Sequence, residues 1–293
     1  MSETKKNIYT GFEVIKDFDK IDELYKKGEV KLSCFKDYEL YPNQCLVIKS
    51  GKQSALAMVK KDKVVLIPQT HKLYNITPRN KEQNFVMALL NDPTIDLVTI
   101  SGLAGSGKTL LSLAYAMEQL NAGKINKIVL CKSLSPVGRE IGYLKGTYMD
   151  KIRPWLGAFY DNFEILGVPQ YELDNMTSEN PDPIFQKENP SRRIELSPIT
   201  FIQGRSISNA VIIIDEAQNL SQDVVKQILS RPAENSKIIM LGDIAQVFEK
   251  GVTSENNGLV AAIEAGKDCE FIGHIDLLKC ERSRLAEWAW KNL

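Results

Sequence analysis

Gly102-x-x-x-x-Gly107-Lys108-Thr109 places glycines, a lysine and a hydroxyl at a spacing that can wrap a polyphosphate. In such a loop, here Gly102, Leu103, Ala104, Gly105, Ser106 and Gly107, backbone N–H groups turn inward around a phosphate, and the next helix start adds partial positive charge. Lys108 can then reach the β- and γ-phosphates, Thr109 can ligate Mg2+, and Leu110 completes the nucleotide-binding stretch. The second cluster is Asp215-Glu216, two carboxylates directly after the apolar run Val211 to Ile214. Asp215 suits the Mg2+ shell, and Glu216 suits orienting and deprotonating a water. This pair favours hydrolysis over phosphoryl transfer to a small acceptor, so a small-molecule or nucleoside kinase is the less favoured reading.

Other polar residues sit where they could complete such a site. Asp243-x-x-Gln246 follows the apolar run Lys237 to Leu241 and would face the γ-phosphate, where its loss is sensed. Gln83 is either an adenine contact, through an amide that can donate and accept at once, or a solvent-facing helix residue. Arg282 and Arg284 are either helix-start surface charges or a source of an arginine finger.

The elements that must position these groups are legible as apolar periodicity. Leu97 to Ile100 is a buried-type strand leading into the glycine loop, and an apolar helical pattern follows the loop. Lys127 to Cys131, Ile199 to Ile202, Val211 to Asp215, Lys237 to Leu241 and Phe271 to Ile275 read as further strands, and Gln222 to Leu229 reads as a helix. Lys81 to Leu90 is expected to be helical with Asn80 as its cap. Lys151 to Leu166 is an aromatic helical region in which Arg153 and Trp155 could meet a nucleic-acid strand or serve the core, and residues 168–193 read as an insertion or mobile loop. Before residue 77 the pattern changes: a short helix from Asp19 to Lys27 with Asp19 as its expected cap and Gly28 beyond it, then the runs CLVI, SALAMV and VVLI of an antiparallel meander. The expectation is a small β-rich N-terminal domain over 1–77, either a packing module or a nucleic-acid-binding barrel, and an α/β P-loop domain over 78–293.

Composition bounds the rest. In 293 residues, 43% hydrophobic and 25% charged composition fits an ordinary globular chain. No signal peptide or membrane anchor is read from the sequence, so the expected compartment is the cytoplasm. Five scattered cysteines without a C-x-x-C pair, and only two histidines, fit reduced thiols and no transition-metal site. Net charge is zero, but residues 1–80 hold 15 Lys+Arg against 10 Asp+Glu, leaving 22 against 27 for the remainder. That basic front is either a solvated surface or a polyanion-binding one.

Taken together, ELYPNQ, PRNKEQ, GLAGSGKTLL, PVGREIGYLKG, KIRPW, QGRSISNAVIIIDEAQNL, GDIAQ, NGL and GHIDLLKCERSRLAE resemble the PhoH-like ATPases, over about Tyr41 to Leu293. The match is to the ATPase portion of PIN–PhoH fusion proteins. This resemblance implies a RecA-like P-loop core related to superfamily 1 helicases, with ATP and Mg2+ as ligands. It also implies action on single-stranded RNA, with helicase or translocase activity, in a hexameric ring. It assigns Gln83 to adenine, and Gln246 and Arg282 to the γ-phosphate. A RecA-like lobe of roughly 200 residues supplies one face of a helicase-type site, so a neighbouring subunit is expected to supply the other, with Arg282 or Arg205 acting in trans. Three positions depart from the family pattern: Gln203 where a second arginine is usual, Lys132-Ser133 where arginine-proline is usual, and Ile244 where proline is usual. The first 80 residues are too few for a PIN nuclease domain, so no ribonuclease activity is expected from them.

Overall fold

The computed structural model describes residues 8–68, 72–133, 157, 159–178, 191, 193–202, 204–249, 251–254, 256–281 and 288. A small sheet begins with β1 (Phe12–Ile15), α1 (Ile21–Lys27) and β2 (Glu29–Lys31), followed by β3 (Cys45–Ser50), β4 (Gln53–Lys60) and β5 (Lys63–Leu66). Its order is β1-β3-β4-β5-β2. The expected meander is the antiparallel β3-β4-β5 set, and β1 adds to it in parallel. Alternation along β3 explains how this sheet sits between two cores. Leu46 and Ile48 join Ile21 and Leu24 of α1, while Cys45 and Val47 point to the opposite face and join Phe85. Gly28 ends α1 in a left-handed turn (φ 73°), its N–H bonding Leu24 O at 2.9 Å. Asp19 does not cap this helix: the N-cap is Lys20, without a side-chain bond, and Asp22 and Glu23 occupy the first turn instead.

The large sheet contains β6 (Leu97–Gly102), β7 (Lys127–Lys132), β8 (Thr177–Ser178), β9 (Ile194–Leu196), β10 (Ala210–Asp215), β11 (Ser236–Gly242) and β12 (Ile272–Leu277). Every pairing is parallel, in the order β12-β6-β11-β10-β7-β9-β8. Parallel strands need both faces covered, and their near-continuous apolar sequences supply both. Val98, Ile100, Val211, Ile213, Ile239 and Leu241 pack on one face with α2 (Lys81–Asn91) and α3 (Lys108–Asn121). Leu97, Ile212, Ile214, Ile238 and Met240 pack on the other with α6 (Gln222–Leu229) and α7 (Gly258–Gly266). Lys237 closes the carboxyl end of α2: its buried Nζ donates to Leu90 O at 2.7 Å and Asp92 O at 2.8 Å.

Two sequence expectations are corrected here. Ile199–Ile202 is one helical turn, α5, and the edge strand is the preceding Ile194–Leu196. Four apolar residues can read as either element, but Ile202 is buried while Phe201 is half exposed, and Phe201 N–H bonds Pro198 O at 3.0 Å as a turn does. Nor are residues 168–193 simply a loop: α4 (Gln170–Met176) buries Leu173 and Met176, and β8 pairs with β9. The expected aromatic helix is seen over 159–165, whereas Arg153, Trp155, Gln203 and residues 179–190 lie outside the described residues.

Residues 8–11 join the two sheets along the outer edge of β12. Tyr9 N–H bonds Glu264 Oε1 at 2.8 Å, and Thr10 O accepts from Asp276 N at 3.0 Å. Gly11 lies so close to β12 that a Cβ there would sit 2.0 Å from His274 O. Asn43 Nδ2 donates to Glu270 O and Ile272 O at 2.9 and 2.8 Å, and Lys60 pairs with Asp92 at 2.5 Å. Among the described residues no helix is long and apolar enough to cross a membrane.

Candidate active site

Gly102 ends β6 because the chain must turn there against β12. Its φ is 144°, and a Cβ would lie 2.4 Å from Leu277 O. Gly105 and Gly107 also take positive φ (79° and 96°), which an L side chain resists, and α3 starts when Leu111 N–H bonds Gly107 O at 3.0 Å. The loop is held from two sides. Asn80 caps α2 through Gln83 N, and Gln83 Nε2 donates to Ser106 O at 3.0 Å while its Oε1 accepts from Arg79 N at 2.8 Å. On the other side, Glu281 N donates to Gly105 O at 3.0 Å, and Glu281 is bonded in turn by Arg79 and Asn80.

Gln83 therefore supports the loop backbone with one amide hydrogen and keeps a second for another partner. Lys108 Nζ folds onto the loop, donating to Gly102 O at 2.6 Å and Leu103 O at 2.9 Å. Thr109 stands half-buried in the first turn of α3, and Ser106 Oγ is buried with no partner among the described residues. A cradle of positive-φ glycines, an ammonium, a hydroxyl and an unpartnered hydroxyl fits a polyphosphate with its divalent cation. A cavity of about 850 Å3 lies elsewhere, at the amino ends of the strands beside Tyr115, Lys237 and Phe271. A phosphate cradle of backbone N–H groups is an open turn and needs no deep cavity.

Asp215 ends β10, two ladder steps or about 10 Å from β6. Burial pushes its pKa up. Lys132, registered opposite it on β7 with Nζ 3.9 Å from Oδ2, pulls it back down, and Glu216 pushes it up again. Glu216 adopts a left-handed backbone (φ 57°, ψ 36°), an uncommon state for a residue with a Cβ. Its carboxylate is held by Gln218, whose Nε2 lies 2.7 Å from Glu216 Oε2.

Gln218 is a residue of the candidate site that the sequence reading did not assign. It is fully buried; Nε2 also donates to Gln246 O at 3.0 Å, and Oε1 accepts from Asp243 N at 3.1 Å. Gly242 is required beside it, since a Cβ would fall 2.5 Å from Gln218 Oε1. The amide thus joins the carboxylate at the end of β10 to the loop after β11, while the side chain of Gln246 is exposed. Asp243 is buried, with Oδ1 bonded by Ala245 N and Oδ2 unpartnered, and burial raises its pKa. The available signal was an amide two residues beyond the Asp-Glu pair at a strand end.

Arg205 is not brought to the phosphate loop within its own chain. Its guanidinium makes a bidentate pair with buried Glu195 on β9, four ladder steps or about 19 Å from β6. Arg282 and Arg284 lie outside the described residues; the preceding Glu281 is the residue bonded to the loop.

The β12-β6-β11-β10-β7 order, the glycine loop after β6 and the carboxylate pair after β10 define an α/β fold with a RecA-like parallel sheet and a P-loop, with a smaller, mostly antiparallel sheet ahead of it. The chain belongs to the PhoH-like protein family, which matches residues 75–292. It is 35% identical over 291 residues to protein PhoH2 of Bacillus subtilis, covering 97% of this chain and 62% of that one. It is 33% identical over 271 residues to protein PhoH2 of Thermobispora bispora, covering 92% and 58%. The chain thus spans about three-fifths of the length of these relatives. Among solved structures, the Pyrococcus furiosus Hef helicase domain aligns with 68% of this chain and 38% of its own, at 16% identity and a TM-score of 0.41. A Sulfolobus solfataricus SWI2/SNF2 ATPase core in complex with dsDNA aligns with 69% and 40%, at 16% identity and 0.40. These likenesses are slight, and the fold is read from the strand order itself.

Proposed function

We propose that the chain hydrolyses ATP with Mg2+ and couples hydrolysis to single-stranded RNA, as a helicase or translocase working in a hexameric ring in the cytoplasm. The observation that carries the hydrolytic part is the Gln218 amide, which ties Glu216 to the loop bearing Asp243 and Gln246. Coupling to RNA is supported by the family resemblance. In this reading residues 1–77 form an accessory domain and 78–293 the ATPase domain. The loop N–H groups and Lys108 bind the phosphates, Gln83 reaches the adenine, and Thr109 and Asp215 hold Mg2+, which when bound neutralises phosphate charge. Glu216 takes the proton of the attacking water, Gln218 keeps its carboxylate in place, and Gln246 contacts the γ-phosphate. Arg282 serves a neighbouring subunit's site, because Arg205 is engaged by Glu195.

A second reading is an ATP-dependent assembly switch that regulates a separate partner such as a nuclease. The bonds from the small sheet to β12 and Asp92 favour it, because a partner on that sheet would address the strand whose exit touches Gly105. Steady-state hydrolysis with and without single-stranded RNA separates the two. Stimulation by RNA that disappears in Glu216→Gln supports the motor; slow turnover indifferent to RNA refutes it in favour of the switch.

A further inference from the structure

Lys132 stands at the carboxyl end of β7, where the ladder sets it directly opposite Asp215, and Ser133 N–H bonds Asp215 O at 2.9 Å to fix that register. Its ammonium lies 3.9 Å from Asp215 Oδ2 and 4.0 Å from Glu216 Oε1, with the lysine side chain 17% exposed. Both separations exceed hydrogen-bond length, so this pairing is held by charge without a fixed donor geometry. A lysine ammonium is also a compact point charge on a flexible stem, unlike a planar guanidinium that locks onto a carboxylate through two bonds.

We propose that Lys132 is a resident cation at the metal-binding carboxylate, which competes with Mg2+ for Asp215 and so sets the Mg2+ concentration at which the site loads. This inference rests on the ATPase reading above, in which Asp215 holds the metal. Two cations cannot share one buried carboxylate without repulsion, so metal entry must move the Lys132 ammonium aside. The loose contact lets it move without breaking a hydrogen bond. Glu216, the more exposed of the two carboxylates, is the acceptor already within 4.0 Å of Nζ. Lys132 therefore acts through Asp215 and Glu216, as a positioning residue.

The test is Mn2+ binding to the full chain with a non-hydrolysable ATP analogue, read by electron paramagnetic resonance. Lys132→Met, which keeps the stem and removes the charge, is expected to tighten Mn2+ binding about tenfold, the order of effect of one unit charge near the site. Lys132→Arg is expected to bind Mn2+ as weakly as the wild type or more weakly. An unchanged or weakened affinity in Lys132→Met overturns the proposal. In the wild type, reductive methylation of Lys132 followed by mass spectrometry is expected to speed up as Mg2+ is titrated against the same analogue; a rate indifferent to Mg2+ overturns it without any substitution. Asp215→Asn separates this inference from its premise: if that variant keeps wild-type Mn2+ affinity, the metal is not at Asp215 and the site reading itself fails.

Discussion

Replacing Gln218 with leucine removes one buried amide that serves three partners. The bond to the Glu216 carboxylate is charge-assisted, worth about 2–3 kcal/mol, and the bonds to Gln246 O and from Asp243 N are neutral, worth about 1 kcal/mol each. Leucine fits the same volume but leaves both backbone groups unpaired, so Gln218→Leu should lose about 3–5 kcal/mol of stability, much of the reserve of an ordinary domain. Assays therefore belong well below the thermal midpoint. The catalytic effect follows from the first bond. If Gln218 holds Glu216 for the attack, losing about 2–3 kcal/mol in the transition state lowers kcat roughly 30- to 160-fold. ATP affinity should move less than about threefold, because the phosphate loop is held by Gln83 and Glu281, on the far side of the site from this amide's partners. Steady-state hydrolysis and equilibrium binding of a fluorescent ATP analogue measure the two. A folded variant with kcat within about threefold of wild type would refute this role for Gln218, as would a parallel loss of kcat and affinity.

Gly102→Ala should be destabilised by several kcal/mol and lose nucleotide binding, because φ is 144° and the added Cβ meets Leu277 O at 2.4 Å; a wild-type melting curve and affinity would contradict this. Arg205→Ala takes the bidentate guanidinium away from buried Glu195, which Lys127 at 4.0 Å offsets in part, so about 2–3 kcal/mol of stability should be lost, with ATP affinity kept in the folded fraction. If instead the thermal midpoint holds and kcat collapses, Arg205 acts on nucleotide in a neighbouring subunit. Burial lowers the Lys237 pKa from an ordinary lysine's 10.5 to about 8. Between those values the unfolded chain binds the extra proton, so this group adds stability as pH rises and its contribution is lost as pH falls through about 8. The stability of wild type relative to Lys237→Met should therefore increase by up to about 3 kcal/mol between pH 8 and 10.5, measured by urea unfolding. A difference independent of pH would show that Lys237 is not buried as an amine.

What sequence could reveal depended on whether a residue's partner is local. The phosphate loop is read from one continuous stretch, since strand, glycines and helix all lie between Leu97 and Asn121. Asn80 likewise announces its cap because the N–H it accepts from is three residues on. The Ile199–Ile202 turn defeats periodicity because four residues complete neither a strand alternation nor a helical repeat, and Ser197-Pro198 decides the outcome. Gln218 and Glu281 escaped notice for another reason. Their partners lie on β11's exit and on the loop after β6, neighbours only once parallel strands are laid side by side. Arg205 carries a partner that the motif does not announce, the buried Glu195 carboxylate ten residues earlier.

The strap of residues 8–11 along β12 also governs how copies of this chain can meet. An exposed parallel strand offers its backbone as a template for strand addition, and here that edge is occupied: Asp276 N–H is taken by Thr10 O, and Gly11 is pressed against His274. At the far edge the described strand is Thr177–Ser178, only two residues long. Among the described residues neither border of the large sheet offers a long free strand, so subunits that meet there are joined by matching side-chain surfaces, and their association can be tuned or broken by single surface substitutions.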